Sequence, residues 1–266
     1  MTILDKSINN HYIYTTAKIL ADKRFNNINL ASFKNLYETY IKSNNGDYII
    51  TIYYDEKYNQ IITTSDTKVA VLKLNESKLH PNINVLEEYA KENNVPIVMK
   101  DSLFLILQLI DMVKSKRILE IGTAIGYSSI CMAYYSNALI DTIERNEEMY
   151  NIAIKNIKDF SMENNIKVHF EDALEIDNSK LGKYDLIFID AAKAQNIKFF
   201  EKYSVLLNDG GLIITDNLLF HGVVEDLTNQ SKNVRKMVEK IDAYNKYLTK
   251  LEGYETIFIN IGDGIS

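Results

Sequence analysis

Residues 117–128 read Arg-Ile-Leu-Glu-Ile-Gly-Thr-Ala-Ile-Gly-Tyr-Ser, and this stretch decides the fold class. Its first five residues are typical of a buried strand, and the residues after Gly126 have the apolar spacing of a helix. Glycines between a strand and a helix let the backbone approach a ligand closely, and the helix start offers free N–H groups. The Gly122-x-x-x-Gly126 spacing differs from the Gly-x-Gly-x-x-Gly turn that binds dinucleotides. With Glu120 beside it, the loop is expected to bind a cationic or zwitterionic ligand.

The alternation of strand and helix continues towards the C-terminus. Apolar runs of about six residues are followed by segments with helical spacing. Uninterrupted apolar strands that alternate with helices indicate an α/β protein with a doubly wound, mostly parallel sheet. The predicted strands are 117–121, 139–143, 166–170, 184–189, 211–215 and 254–259, and the predicted helices are 127–135, 147–160, 196–207 and 231–250.

Residues 1–81 have a different pattern and are predicted to form a small α+β module. Pro81 follows a polar run and marks the boundary with the larger unit, 82–266. The module is predicted to contain helices at 12–24 and 30–43 and a three-stranded meander at 48–54, 60–64 and 68–74. Its charge is about +2 and the charge of residues 82–266 is about −8, which together give the net charge of −6. Two roles remain open for the module: contacts to RNA through lysines and tyrosines, or packing and dimerisation.

Composition excludes several classes of protein. The single cysteine, Cys131, rules out a disulfide framework and a cysteine-based zinc site, and the four histidines are widely separated. The longest apolar stretch, near 103–113, is interrupted by polar residues and is too short to cross a bilayer. The N-terminus lacks the pattern of a secretory signal. We expect a cytoplasmic protein without a membrane partner.

Two acidic residues follow later strands of the predicted sheet. Glu144 comes 22 residues after Gly122, where an acid can accept hydrogen bonds from both hydroxyls of a ribose. Asp172 and Ala173 close the next strand, where a carboxylate and a backbone N–H could hold an adenine ring. These positions together favour a nucleoside-containing ligand over plain strand ends.

Oxygen donors also follow two further strands. Asp190 ends one buried strand, and Asp216 and Asn217 end the next. Neighbouring parallel strands end at one rim of the sheet, which is where open α/β sheets bind ligands. Two carboxylates and an amide oxygen suit Mg²⁺ or another divalent cation. Lys193, three residues after Asp190, is the candidate general base.

Residues from about 83 to 265 resemble the metal-dependent class I O-methyltransferases of the caffeoyl-CoA and catechol type. Within that family the similarity is greatest to bacterial enzymes that methylate 5-hydroxyuridine at the wobble position of tRNA. The resemblance implies a Rossmann-like, mostly parallel sheet of seven strands. The stretches that carry it begin at Glu87 (Glu-Glu-Tyr-Ala-Lys-Glu), Arg117, Tyr184 (Tyr-Asp-Leu-Ile-Phe-Ile-Asp-Ala-Ala-Lys), Asp216 (Asp-Asn-Leu-Leu-Phe-His-Gly) and Lys240.

The resemblance also implies a cofactor, S-adenosylmethionine, and a set of site residues. Residues at the methionine end, the ribose and the adenine would bind the cofactor, and Asp190 would touch both the cofactor's surroundings and the metal. Val98 stands where tRNA enzymes of this type usually have methionine. Lys193 and Asp190 would be catalytic, Asp190, Asp216 and Asn217 would bind metal, and Val98, Glu120, Gly122, Ser128, Glu144, Asp172, Ala173 and Asp190 would contact the cofactor.

The implied reaction is O-methylation of an enol-like or phenol-like hydroxyl, with tRNA as the expected substrate and a homodimer as a possible assembly. One alternative is a catechol or phenolic methyltransferase acting on small molecules. The apolar stretch that follows Asn217 fits a flat ring in either substrate and does not decide between them. A module that binds S-adenosylmethionine without turnover is disfavoured because the proposed metal residues and Lys193 are present. A nicotinamide oxidoreductase is disfavoured by the glycine spacing.

Overall fold

The structure, a computed structural model, describes residues 50–55, 60–65, 79–218 and 231–266. The helices predicted at 12–24 and 30–43, the strand predicted at 68–74 and most of the apolar stretch after Asn217 lie outside the described residues. The strands are β1 Ile50–Asp55, β2 Gln60–Ser65, β3 Arg117–Ile121, β4 Leu139–Glu144, β5 Ile166–Phe170, β6 Tyr184–Ile189, β7 Leu207–Thr215 and β8 Phe258–Asn260. The α-helices are α1 Asn84–Glu92, α2 Lys100–Val113, α3 Tyr127–Ser136, α4 Glu147–Asp159, α5 Asn196–Ser204 and α6 Lys232–Leu248.

Five strands form the parallel sheet that the sequence pattern predicts. Their order is β5-β4-β3-β6-β7, and every neighbouring pair is parallel. The chain runs from β3 outward to β5 and then returns to add β6 and β7 on the other side. The order therefore reverses between β3 and β6, and open α/β sheets bind ligands outside the carboxyl ends of strands at such a reversal.

The α/β architecture is confirmed, but within the described residues the sheet has five strands, whereas seven were expected. The last predicted strand is shorter than the pattern suggested, and β8 pairs in parallel with β2 in a separate three-stranded sheet, β1-β2-β8. Ile265 bridges both Ile259 and Asp216 in antiparallel fashion. The C-terminal residues thus join the end of β7 to β8.

Apolar side chains cover both faces of the sheet. One cluster packs α1, α2 and α3 against the sheet and includes Phe104, Ile118 and Phe188. The other packs α5 and α6 against the opposite face and includes Ile187, Phe200 and Tyr244. Burial on both faces explains why these strands are uninterrupted apolar runs. Among the described helices, none is long and apolar enough to cross a membrane.

Candidate active site

A cavity of about 630 Å³ lies at the carboxyl ends of β3, β4, β5 and β6. This volume falls within the range of ordinary small-molecule pockets, and the position is the reversal of strand order. Most of the predicted site residues line it, whereas Glu120 and Asp216 do not. The predicted site residues that line the cavity are Val98, Gly122, Ser128, Glu144, Asp172, Ala173, Asp190, Lys193 and Asn217.

Gly122 forms the floor of the cavity where β3 and β6 end side by side. Its φ is +103°, and a Cβ atom added there would lie 2.6 Å from the carbonyl oxygen of Asp190. The Asp190 N–H donates to the carbonyl of Ile121 at 3.0 Å and holds the ends of β6 and β3 together, while the Gly122 N–H donates to the carbonyl of Ile143 on β4 at 3.1 Å. Only glycine satisfies both the backbone conformation and the close approach.

Glu144, at the end of β4, is fixed by backbone donors on both of its oxygens. Oε2 accepts from the N–H of Ala124 at 2.9 Å, and Oε1 accepts from the N–H groups of Arg145 and Asn146 at 2.9 and 2.8 Å. A carboxylate has about four acceptor positions, so it retains capacity for a hydroxyl donor. Glu144 therefore presents an oriented acceptor to the cavity.

Glu120 lies beneath the loop and is not among the residues that line the cavity, so its expected contact with the cofactor remains a prediction. Its side chain is fully buried and accepts hydrogen bonds from the hydroxyls of Ser128, Ser129 and Thr142, the last at 2.7 Å. Burial raises the pKa of Glu120 to about 7, even though the three hydroxyls oppose this shift. The burial has a local cause, since the first turn of α3 and the neighbouring strand β4 supply the hydroxyl partners of the carboxylate.

Asp172 and Ala173 line the far end of the cavity, after β5. Asp172 Oδ1 accepts from the N–H of Leu174 at 2.8 Å, and Oδ2 accepts from the guanidinium of Arg145 at 3.0 Å. The Leu174 N–H and the Arg145 charge hold the pKa of Asp172 below its usual range. This end of the cavity therefore carries an ionised, anchored carboxylate.

Lys193 follows β6 and reaches back to Asp190. Its Nζ lies 2.7 Å from Asp190 Oδ1, and both side chains are mostly buried in the cavity wall. The contact places the lysine nitrogen beside a carboxylate, in a partly desolvated position where charge interactions are strengthened.

Asp216, at the end of β7, is fully buried, and in the part of the chain that the structure describes its Oδ2 has no hydrogen-bond partner. Burial and the nearby Asp190 carboxylate raise the pKa of Asp216 to about 7. Asn217 lies next to it in a left-handed conformation, φ +63°, and its Nδ2 donates to Asp263 Oδ2 at 3.3 Å. A buried carboxylate oxygen without a partner is costly, and a cation is one group that would satisfy it.

The donor set of Asp190, Asp216 and Asn217 is thus compatible with a divalent cation. Two carboxylates and an amide offer the hard oxygen atoms that Mg²⁺ prefers. Among the described residues, no three His, Cys, Asp or Glu side chains converge as a metal site by themselves. Any such site would consequently depend on the amide oxygen of Asn217 in addition to the two acids.

The family model for O-methyltransferases matches residues 73–266. The chain belongs to the O-methyltransferase family. A caffeoyl-CoA O-methyltransferase from Populus kitakamiensis is 27% identical over 189 residues, which are 68% of this chain and 80% of that protein. This O-methyltransferase is of the caffeoyl-CoA type. The family expected from the sequence is therefore confirmed.

Solved structures agree with this assignment. The structure of a "putative caffeoyl-CoA O-methyltransferase" from Staphylococcus aureus is 48% identical, covers 75% of this chain and 96% of its own, and superposes with a TM-score of 0.70. An O-methyltransferase from Bacillus cereus in complex with S-adenosylhomocysteine is 27% identical, covers 75% and 96% of the two chains, and has a TM-score of 0.59. The chain is a S-adenosylmethionine-dependent O-methyltransferase.

Several residues of this O-methyltransferase site escaped sequence reasoning. Tyr127 lines the cavity and donates to Glu87 Oε1 at 2.8 Å. Arg145 lines it at the Asp172 end, and Asp263 enters from the C-terminal residues. Proximity to Gly126 was a signal for Tyr127, and proximity to Glu144 was one for Arg145. Asp263 lies three residues beyond the end of β8, a strand of the other sheet, so the strand pattern of the main sheet did not point to it.

Proposed function

We propose that this O-methyltransferase uses a divalent cation to methylate a phenolic or catechol-like hydroxyl of a small molecule. The caffeoyl-CoA type of the family supports a small aromatic acceptor. A cavity of about 630 Å³ has room for a small ligand.

One observation carries the cation part of the proposal. The donors of β6 and β7, Asp190 and Asp216 with Asn217, follow adjacent strands that pair in parallel up to Ile189 and Thr215. Asp216 is buried, yet one of its oxygens has no hydrogen-bond partner among the described residues. Such an oxygen is a cost unless a bound group satisfies it. The same rim carries the cavity, so a cation held there would adjoin the bound ligands.

The proposed roles of the chain follow from its contacts. When bound, S-adenosylmethionine supplies an electrophilic methyl group, and a divalent cation supplies positive charge that favours the ionised form of a nearby hydroxyl. Glu144 and Asp172 orient the nucleoside through their anchored carboxylates. Lys193 accepts the hydroxyl proton at Nζ, and Asp190 Oδ1 holds that nitrogen in place. The cavity walls restrict water and align the two reactants, which is the larger share of catalysis for such a transfer.

The expectation of a tRNA substrate remains a prediction. The comparisons lend it no support, and the net charge of −6 provides little general attraction for a polyanion. The role of residues 1–81, the domain boundary near Pro81 and a homodimer also remain predictions. The small-molecule function is favoured because the names of two relatives described above refer to a small substrate, caffeoyl-CoA.

The test uses the full chain with S-adenosylmethionine carrying a labelled methyl group. Acceptors are caffeate, 3,4-dihydroxybenzoate and, separately, tRNA that contains 5-hydroxyuridine, each with excess EDTA and with Mg²⁺ restored. We expect labelled phenolic product that disappears with EDTA and returns with Mg²⁺. Label in tRNA alone would replace the small-molecule proposal by the tRNA prediction. Full phenolic activity in EDTA would remove the cation from the mechanism.

A further inference from the structure

The loop after β4 carries a charged residue that links the two acids of the proposed nucleoside site. Arg145 donates its backbone N–H to Glu144 Oε1 at 2.9 Å, while its guanidinium donates to Asp172 Oδ2 at 3.0 Å. Arg145 and Asp172 come from different strand ends, β4 and β5, and both line the cavity. One residue thus fixes the relative positions of both carboxylates.

The bonding of Asp172 leaves room for a ligand. Its two oxygens each accept one hydrogen bond within the protein, from Leu174 and from Arg145. A carboxylate has about four acceptor positions, so about two remain. An ionised carboxylate accepts hydrogen bonds and does not donate them. It therefore attracts an amino group and repels a carbonyl oxygen at the same position.

The ion pair has little to contribute to folding. The side chain of Arg145 is 68% exposed and that of Asp172 is 35% exposed. Exposed pairs of this kind add little to the stability of a protein, because solvent screens them. Because the ion pair adds little to stability, its position at the cavity indicates a role in binding.

We propose that Arg145 is a specificity-determining residue of the cofactor site. Arg145 holds Asp172 in place, so that the Asp172 carboxylate selects the 6-amino group of adenine over a 6-oxo group. This inference rests on the proposed placement of the nucleoside between Glu144 and Asp172. Arg145 acts through Asp172 and is a positioning residue. Sites built to pair with one polar group reject the analogue that lacks it, because the protein group is then left unpaired.

The test measures binding of S-adenosylhomocysteine and of its 6-oxo analogue, S-inosylhomocysteine, to the full chain by calorimetry. We expect the unmodified protein to prefer the adenine ligand at least tenfold. Arg145→Ala should weaken the adenine ligand by about tenfold and the 6-oxo ligand by less than threefold, so the preference shrinks. Arg145→Lys, which keeps the charge but loses the planar fork, should restore part of it.

The matched control is Lys155→Ala, which removes another exposed ion pair, 2.6 Å to Asp159 on α4, away from the cavity. It should leave both affinities unchanged, and thermal unfolding should show that all variants remain folded. Equal weakening of both ligands by Arg145→Ala, or no weakening of either, would overturn the inference. Neither assay contains a metal or an acceptor, so failure of the proposed methyl transfer would not alter these results.

Discussion

The carbonyl oxygen of Asp190 lies only 2.6 Å from the position that a Cβ atom on residue Gly122 would occupy. This contact brings the ends of β3 and β6 together and makes the floor of the cavity. The geometry of the glycine loop that begins at Gly122 and that of Asp190 are therefore coupled through the backbone.

Gly122→Ala is expected to destabilise the protein by about 2 to 4 kcal/mol, because it combines a positive φ with a clash against backbone. The cavity floor should also move, so S-adenosylhomocysteine binding should weaken more than tenfold. Denaturant unfolding and calorimetry measure the two effects. Gly210→Ala is the matched control, since Gly210 also has a positive φ (+75°) but nothing within 4 Å of an added Cβ. That control should cost only about 1 kcal/mol and leave binding unchanged; similar costs for both variants would contradict the role of the contact.

Asp216→Asn is expected to separate stability from activity. In the metal-free protein the variant should unfold at an equal or higher temperature, because a buried carboxylate with a raised pKa is replaced by a neutral amide. Methyl transfer and Mg²⁺ binding should both be lost, the first by at least about a hundredfold. Thermal unfolding in EDTA and titration calorimetry with Mg²⁺ provide the readouts. Unchanged Mg²⁺ affinity would exclude Asp216 as a ligand.

Glu120→Gln is expected to change the pH dependence of stability. Burial raises the pKa of Glu120 to about 7, so the folded protein retains a proton that the unfolded chain releases near pH 4.5. The stabilisation is therefore complete below about pH 4.5 and is lost as the pH rises to about 7. Relative to the variant, the unmodified protein should lose roughly 1 to 3 kcal/mol across this window. Denaturant unfolding at pH 5 and pH 8 measures the difference; parallel curves for the two proteins would show that Glu120 does not titrate there.

Lys193→Ala is expected to lower kcat by about 10² to 10⁴, because its Nζ, 2.7 Å from Asp190 Oδ1, is the proposed acceptor of the hydroxyl proton. S-adenosylhomocysteine affinity should stay within threefold of the original. Lys193→Arg discriminates between two roles of the lysine. A guanidinium keeps the charge but does not release its proton at working pH, so the arginine variant should also be inactive. Retained activity in Lys193→Arg would assign an electrostatic role instead of proton transfer.

The strands of the main sheet were predictable because burial on both faces demands uninterrupted apolar runs, and those runs are visible in the sequence. Gly122 and Asp190 were predictable for the same reason, since each directly follows such a run. The hydroxyl partners of Glu120 could not be predicted, because a strand-end acid looks the same in sequence whether it faces a ligand or a set of hydroxyls. Its partner Thr142 lies on another strand, 22 residues away. Arg145 was missed because its partner Asp172 becomes a neighbour only when β4 and β5 pair.

The tip of β7 depends on residues from the far end of the chain. Asn217 donates to Asp263, the N–H of Leu218 donates to the carbonyl of Gly264 at 3.0 Å, and Thr215 exchanges two backbone bonds with Ser266. During synthesis the N-terminal part of a protein emerges and folds first. The proposed cation donors on β7 would then acquire these supports only after residues 263–266 have also been synthesised and have left the ribosome.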